Sequence, residues 1–214
     1  MAIAGLVLAA GQSSRMGDFK PLMRIGERTL LEASVESLFA GGAEHVTVVL
    51  GYRASDAQAM LKASFDETRV HCAINPAYDR TDMLRSVQTG VEALPPCEAF
   101  YLLPGDMPAV SPHTLRALAD GLWVTNARVA FPLYSGRRKH PPLIRANCIA
   151  DILSYRGEGG LRGLWQRYGN QLLDVACGDP GCGLDADTAK DFERLVQYMR
   201  DARAAQTASD APQR

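Results

Sequence analysis

The sequence predicts a mostly parallel α/β sheet with helices on both faces, a Rossmann-like three-layer sandwich. Two observations carry this. Apolar runs of strand length recur up to about residue 134, and between them lie segments whose apolar residues repeat at helical spacing. The runs are apolar at consecutive positions rather than at alternate ones. That pattern marks strands buried on both faces, as in a parallel sheet covered by crossover helices.

The elements follow in order. Ile3–Ala9 is the first buried strand. Leu30, Leu31, Ser34, Val35 and Leu38 then form a helical stripe, and His45–Leu50 and Val70–Ile74 are the next two strands. Leu84, Val87, Val91 and Leu94 make a second stripe before the strand at Ala99–Leu103. Ser111-Pro112 sets a capping hydroxyl before a proline at the first helical position, with Leu115, Leu118 and Leu122 on one face behind it. Val129–Leu133 completes this series.

Beyond about residue 134 the rhythm changes. Gly136 to Pro142 is basic and proline-bearing, Gly157-Glu158-Gly159-Gly160 runs into a helix, and Leu172–Ala176 has strand character. Thr188 and Asp191 have capping-box spacing, with Asp in place of Glu, and open a last helix to about Arg203. The segment 206–214 is small and polar and is expected to be a disordered tail. No internal repeat is present. The chain is expected to form one domain over residues 1–205.

Composition narrows the function. The 214 residues are 47% hydrophobic, enough to fill a core without disulfide or metal staples. With 23 basic and 24 acidic residues the net charge is −1, which argues against a general nucleic-acid or membrane-surface binder; any anion site must be local. Five irregularly spaced cysteines do not form a disulfide framework and point to a reducing cytoplasm. Cys177 and Cys182 flank a Gly-Asp-Pro-Gly turn with no second Cys/His pair at ligand spacing, so free thiols are expected. The longest apolar run, Ala2 to Ala10, is far short of the ~20 residues that span a bilayer. No basic residue precedes it, which argues against a signal peptide.

Three segments carry chemistry. Leu8 to Leu22 reads LAAGQSSRMGDFKPL. Here Leu8, Ala9, Ala10 and Gly11 end a buried strand with small residues, which lets backbone approach a ligand closely. Gly11, Ser13 and Ser14 can aim N–H groups and hydroxyls at phosphate oxygens, and Arg15 and Lys20 add positive charge. In open α/β sheets ligands bind at the carboxyl ends of strands, where this loop falls. The P-loop and dinucleotide glycine fingerprints are both absent, which weighs against an ordinary dinucleotide-binding domain. Leu102-Leu103-Pro104-Gly105-Asp106-Met107-Pro108 ends another strand in a turn with one carboxylate. Mg²⁺ is commonly held by one or two carboxylates plus phosphate and water, although a solvated turn Asp is the plain alternative. Asp185 and Asp187 precede the last helix, where acids are also ordinary stabilisers of a helix N-terminus.

The first segment resembles the signature of the MobA-like NTP transferases, and especially their molybdenum cofactor cytidylyltransferases. It matches a Leu-Ala-Ala-Gly, Ser, Arg-Met-Gly and Lys pattern residue by residue. The resemblance covers roughly residues 3–196 and implies a nucleotide-diphospho-sugar transferase-like fold. It also implies a triphosphate loop using Gly11, Arg15 and Lys20, with Arg15, Lys20 and Asp106 catalytic. Mg²⁺ would be held by Asp106 and Asp187, with Asp185 as the alternate. The Ala10-Gly11 pair resembles the CTP-using branch; GTP users typically carry two glycines there. Asn75-Pro76-Ala77-Tyr78, Met83 and Ser86 resemble a stretch lining the nucleotide pocket, which assigns Asn75, Ser86 and Gly105 to nucleotide binding. Thr81-Asp82 stands where the family usually has one Gly.

Gly136-Arg137-Arg138-Lys139-His140-Pro141 resembles a Gly-Arg-Arg-Gly-His-Pro segment, with Lys139 replacing the second Gly. This segment and Gly157 to Leu164 assign Arg138, His140, Gly160 and Arg162 to an acceptor side at about 134–183. A solvated basic turn and an ordinary helix start remain the alternatives. The expected activity is CMP transfer from CTP to a phosphorylated acceptor such as molybdopterin cofactor, with a molybdoenzyme or its chaperone as a further partner. Alternatives are the same chemistry on a sugar, polyol or choline phosphate, and a non-catalytic nucleotide- or pterin-binding chaperone.

Overall fold

A computed structural model describes residues 1–12 and 19–209, with side chains described to residue 204. The elements are β1 (Ile3–Ala9), β2 (Arg24–Ile25), β3 (Arg28–Thr29), α1 (Leu30–Ala40), β4 (His45–Leu50), α2 (Ala54–Ser64), β5 (Val70–Ile74), α3 (Met83–Glu92) and β6 (Ala99–Pro104). They continue with α4 (Pro112–Trp123), β7 (Val129–Tyr134), β8 (Arg137–Arg138), β9 (Leu143–Arg145), α5 (Ile149–Ser154), α6 (Gly160–Tyr168), β10 (Leu172–Ala176) and α7 (Ala189–Ser209).

The main sheet runs β10-β7-β9-β6-β1-β4-β5, with β8 paired to β7. β1 pairs in parallel with both β4 and β6, β4 with β5, and β7 with β10; β9 lies antiparallel between β6 and β7. The chain builds outward from β1 through β4 to β5, then returns to β6 on the other side of β1. That reversal opens a crevice at the carboxyl ends of β1 and β6, where open sheets place ligands.

Strict side-chain alternation explains the continuous apolar runs. Along β1, Ile3, Val7 and Ala9 face a core shared with Leu31, Val35 and Leu38 of α1, Leu61 of α2, and Leu115, Leu118 and Leu122 of α4. Ala4, Leu6 and Ala10 face the opposite core, with Leu84, Val87 and Val91 of α3, Ile152 of α5, and Leu164 and Trp165 of α6. The three layers therefore follow from the period of two in each strand. Leu6 is fully buried, and truncation of such a residue to alanine typically costs about 2–5 kcal/mol.

The helix starts follow local chemistry. Thr29 and Glu32 form a capping box at α1, Ser111 caps α4 ahead of Pro112, and Asp191 N–H donates to Thr188 Oγ1 at the start of α7. The last helix differs from the sequence pattern: its backbone runs to Ser209, past Arg203 and into the segment expected as a tail. Residues 210–214 lie outside the described part. All five cysteines are free thiols. Among the described residues no helix is long and apolar enough to cross a membrane.

Candidate active site

The carboxyl ends of β1 and β6 are tied directly together. Gly105 N–H donates to Leu8 O at 2.8 Å, and Ser34 Oγ from α1 donates to Gly105 O at 3.0 Å. This fixes the Asp106 turn against the end of β1. A cavity of about 340 Å³ opens there, and Leu8, Ala9, Ala10 and Gly11 line one wall while Pro104, Gly105 and Asp106 line another. A side chain at Gly11 would meet no described atom within 4 Å, so the glycine leaves space at the mouth of the cavity. Lys20 and Ser86 also line it. Ser13, Ser14 and Arg15 lie outside the described residues.

Lys20 is largely buried and joins the two distant acid segments. Its Nζ is 3.3 Å from Asp106 Oδ2 and 3.0 Å from Asp187 Oδ1. Asp185 belongs to the same electrostatic group. Burial pushes its carboxyl above the usual range, and the nearby charges of Asp187, Asp106 and Asp191 push the same way. Among the described residues, several acids and one lysine thus meet at the cavity edge. Among the described residues no group of three His, Cys, Asp or Glu is spaced as a closed metal cage. An Mg²⁺ site here would need oxygens from a bound ligand, which suits this ion's habit of taking few protein carboxylates.

Asn75 stands apart from the other nucleotide-side residues. It is 1% exposed and does not line the cavity. Its Nδ2 donates to Ser86 Oγ at 3.1 Å, and its Oδ1 accepts from Ala77 N–H at 3.1 Å. It therefore shapes the loop from behind, because a buried amide must satisfy both its donors and its acceptor. Tyr78 and Met83, from the stretch that resembles a nucleotide-pocket wall, line the cavity together with Thr81 and Asp82 of the same loop, and Pro21 is a lining residue that the sequence did not single out. The Asn75-Pro76-Ala77-Tyr78 motif was the available signal for Tyr78. Asp82, in the two-residue stretch that replaces a glycine, caps α3 by accepting from Arg85 N–H.

A second cavity, of about 1100 Å³, adjoins the first, and Asp82 and Met83 line both. Arg138, His140, Gly160 and Arg162 all line this larger space. Phe131 and Trp165 supply aromatic wall, their rings 6.3 Å apart in an edge-to-face arrangement. The sequence singles out neither ring as a site residue, Phe131 lying within a strand read as buried. Arg138 is already engaged: its guanidinium donates to both carboxylate oxygens of Asp174, at 2.6 and 3.2 Å. Arg137 and Arg162 are the other exposed arginines of this wall. His140 Nδ1 lies 3.4 Å from Leu102 O, a carbonyl that accepts from this nitrogen in the Nδ1-protonated tautomer. Burial holds the His140 pKa below its ordinary value, against the opposing pull of the Leu102 carbonyl and Asp106.

The chain also has relatives among known proteins. The family pattern described as "MobA-like NTP transferase domain" matches residues 5–172. The chain is 27% identical over 191 residues to the molybdenum cofactor cytidylyltransferase of Escherichia coli K12, covering 89% of this chain and 94% of that protein. It is 29% identical over 205 residues to the nicotine blue oxidoreductase of Paenarthrobacter nicotinovorans, covering 91% of this chain and 96% of that protein. A solved manganese complex of Rv0371c from Mycobacterium tuberculosis H37Rv superimposes with a TM-score of 0.71 at 24% identity, covering 92% of this chain and 98% of that one. The fold is that of the nucleotide-diphospho-sugar transferases, and the chain is a nucleotidyltransferase that belongs to the MobA-like NTP transferase family.

Proposed function

We propose that this chain transfers CMP from CTP to a phosphorylated acceptor in an Mg²⁺-dependent reaction that releases pyrophosphate. The observation that carries the reading is the meeting of Lys20, Asp106 and Asp187 at the edge of the cavity floored by Leu8, Ala9, Ala10 and Gly11. One near-full-length relative bears an oxidoreductase's name, so the transfer reading leans on these side chains as well as on likeness.

In this reading the triphosphate lies along Ala10 and Gly11, and Arg15 and Lys20 offset charge that develops on the leaving pyrophosphate. An acceptor phosphate oxygen attacks the α-phosphorus. No protein base is required, because a phosphate monoester has a second pKa of about 6 and is largely dianionic at neutral pH. The difficulty is that two anions must meet, and catalysis consists of positioning and charge stabilisation. Asp106 and Asp187, with Asp185 as alternate, would hold Mg²⁺, which would supply further charge compensation at the phosphates. Asp82 and Met83 stand where the two substrates would adjoin. The larger cavity, with Trp165 and Phe131 on its wall and Arg162 at its edge, favours a ring-bearing acceptor of molybdopterin size over phosphocholine. A cytoplasmic location accords with the five free thiols.

The test is a panel of CTP, GTP, ATP and UTP with MgCl₂. Thermal shift reports binding, since a ligand at a hundredfold excess over its Kd stabilises by about 2.7 kcal/mol. Pyrophosphate release with molybdopterin cofactor, a sugar phosphate or phosphocholine reports transfer. CTP is expected to give the largest shift and, with the pterin acceptor, the fastest release. A GTP preference overturns the base assignment. CTP binding without pyrophosphate release from any acceptor would favour a nucleotide-binding chaperone.

A further inference from the structure

The two acid-bearing segments around Lys20 are joined to each other behind the site. Asp179, 6% exposed, follows β10 and reaches across to the segment after β6. Its Oδ2 accepts from Ser111 N–H at 2.9 Å, from Thr114 Oγ1 at 2.8 Å and from Cys182 Sγ at 3.5 Å. Its Oδ1 accepts from Gly181 N–H at 2.9 Å. One side chain therefore holds the start of α4, just beyond Asp106, against the turn that leads to Asp185 and Asp187.

Gly181 makes the same junction through backbone. A Cβ at this position would fall 1.9 Å from Ala109 O and 2.6 Å from Ala109 C, far inside any real contact. The turn can lie flat on Ala109 only because residue 181 has no side chain. Cys182 and Ala186 on one segment, and Met107 and Val110 on the other, are all buried.

From this geometry we infer that Asp179 and Gly181 form a clamp that sets the distance between Asp106 and Asp187, so that the pair can share a divalent cation; Asp179 is a positioning residue for cation binding. The inference rests on the reading of Asp106 and Asp187 as cation ligands. A four-bond carboxylate at a helix start could instead serve stability alone, and the two roles differ in what they do to the folded protein. Asn at position 179 keeps the shape but turns one acceptor oxygen into an N–H₂ donor. Whichever way the amide is placed, it faces a donor of Gly181 or the donors of Ser111 and Thr114.

The experiment is Mn²⁺ binding to the full chain, followed by the free-ion electron paramagnetic resonance signal at 10 °C, with Tm recorded for each variant. Wild type is expected to bind, and Asp106→Asn to lose the site. Asp179→Asn is expected to raise the Mn²⁺ Kd by about tenfold or more, the usual scale for a group that orients metal ligands. A Kd within twofold of wild type, with a lowered Tm, overturns the clamp and leaves Asp179 purely structural. Should Asp179→Asn fail to fold, Thr114→Val removes a single donor at similar volume; a rise above twofold supports the clamp and twofold or less overturns it. Absence of Mn²⁺ binding by wild type, or unchanged binding by Asp106→Asn, defeats instead the reading on which the clamp rests.

Discussion

Lys20 Nζ lies between Asp106 Oδ2 and Asp187 Oδ1, at 3.3 and 3.0 Å, and links the 3-10 turn after the first loop to two segments far along the chain. Lys20 keeps only 11% of its side chain exposed, whereas Asp187 keeps 49%. An ion pair so open on one side contributes about 0–1 kcal/mol to stability after solvent screening. The arrangement is costly to assemble for so small a stabilising return, which points to function.

The first prediction separates those two quantities. Asp106→Ala is expected to abolish turnover in the pyrophosphate assay, while urea unfolding still shows a cooperative folded state. Asp187→Asn should follow the same pattern with a smaller loss of activity, because its carboxylate is the more exposed of the two. Near-normal turnover by Asp106→Ala removes it from the site.

Lys20→Ala should cost on the order of 2–4 kcal/mol in transition-state stabilisation, the scale for removing one preorganised electrostatic donor. The measurement is kcat/KM for CTP at saturating metal. A loss below tenfold places Lys20 outside the chemistry and leaves it as a partner of the two acids.

The acceptor side allows a selective test. Arg162 and Trp165 line the larger cavity and are absent from the smaller one. Arg162→Ala removes a charge-assisted donor worth about 1.5–3 kcal/mol, so the acceptor KM should rise roughly ten- to hundredfold. The CTP KM should change by less than about threefold, since the residue lies on the far side of Asp82 and Met83. Equal rises in both constants would mean that the two cavities do not divide the substrates as proposed.

Much of this was legible in the sequence, and the reasons are physical. β1, β4, β6 and β7 announce themselves because burial on both faces demands nearly unbroken apolar runs, whereas the edge strands β5 and β10 show as apolar runs interrupted by His71 and Asp174. α2 is silent because it buries only Ala57 and Leu61 and begins behind Arg53 in a left-handed conformation with no capping side chain. β2, β3, β8 and β9 are two or three residues long, too short to show a period. In the site, the charged and glycine-bearing motifs made Lys20, Asp106 and Asp187 candidates, and the family resemblance, not the residue chemistry alone, joined them into one site. That Asn75 is buried behind the smaller cavity rather than on its wall could not be read from sequence, because a buried structural amide and a ligand-binding one carry the same letter. Trp165 and Phe131 were hidden for the converse reason: an aromatic at helical or strand spacing reads as core, and only the packed fold reveals which ring edges a cavity.

The last prediction concerns pH and His140. Burial lowers its pKa, and the Leu102 carbonyl and the Asp106 charge recover only part of that shift. In the unfolded chain the imidazole titrates near 6.5. As pH falls through that value, the unfolded state takes up a proton before the folded state does. Stability therefore decreases with falling pH, and the contribution is fully present only above about 6.5. Neighbouring carboxylates add their own acid dependence, so the informative quantity is a difference. Wild type should lose more Tm between pH 7 and pH 5 than His140→Gln, which cannot titrate. Parallel Tm curves for the two proteins would mean that His140 is protonated as readily in the fold as in water, and that the wall of the larger cavity is wetter than its packing indicates.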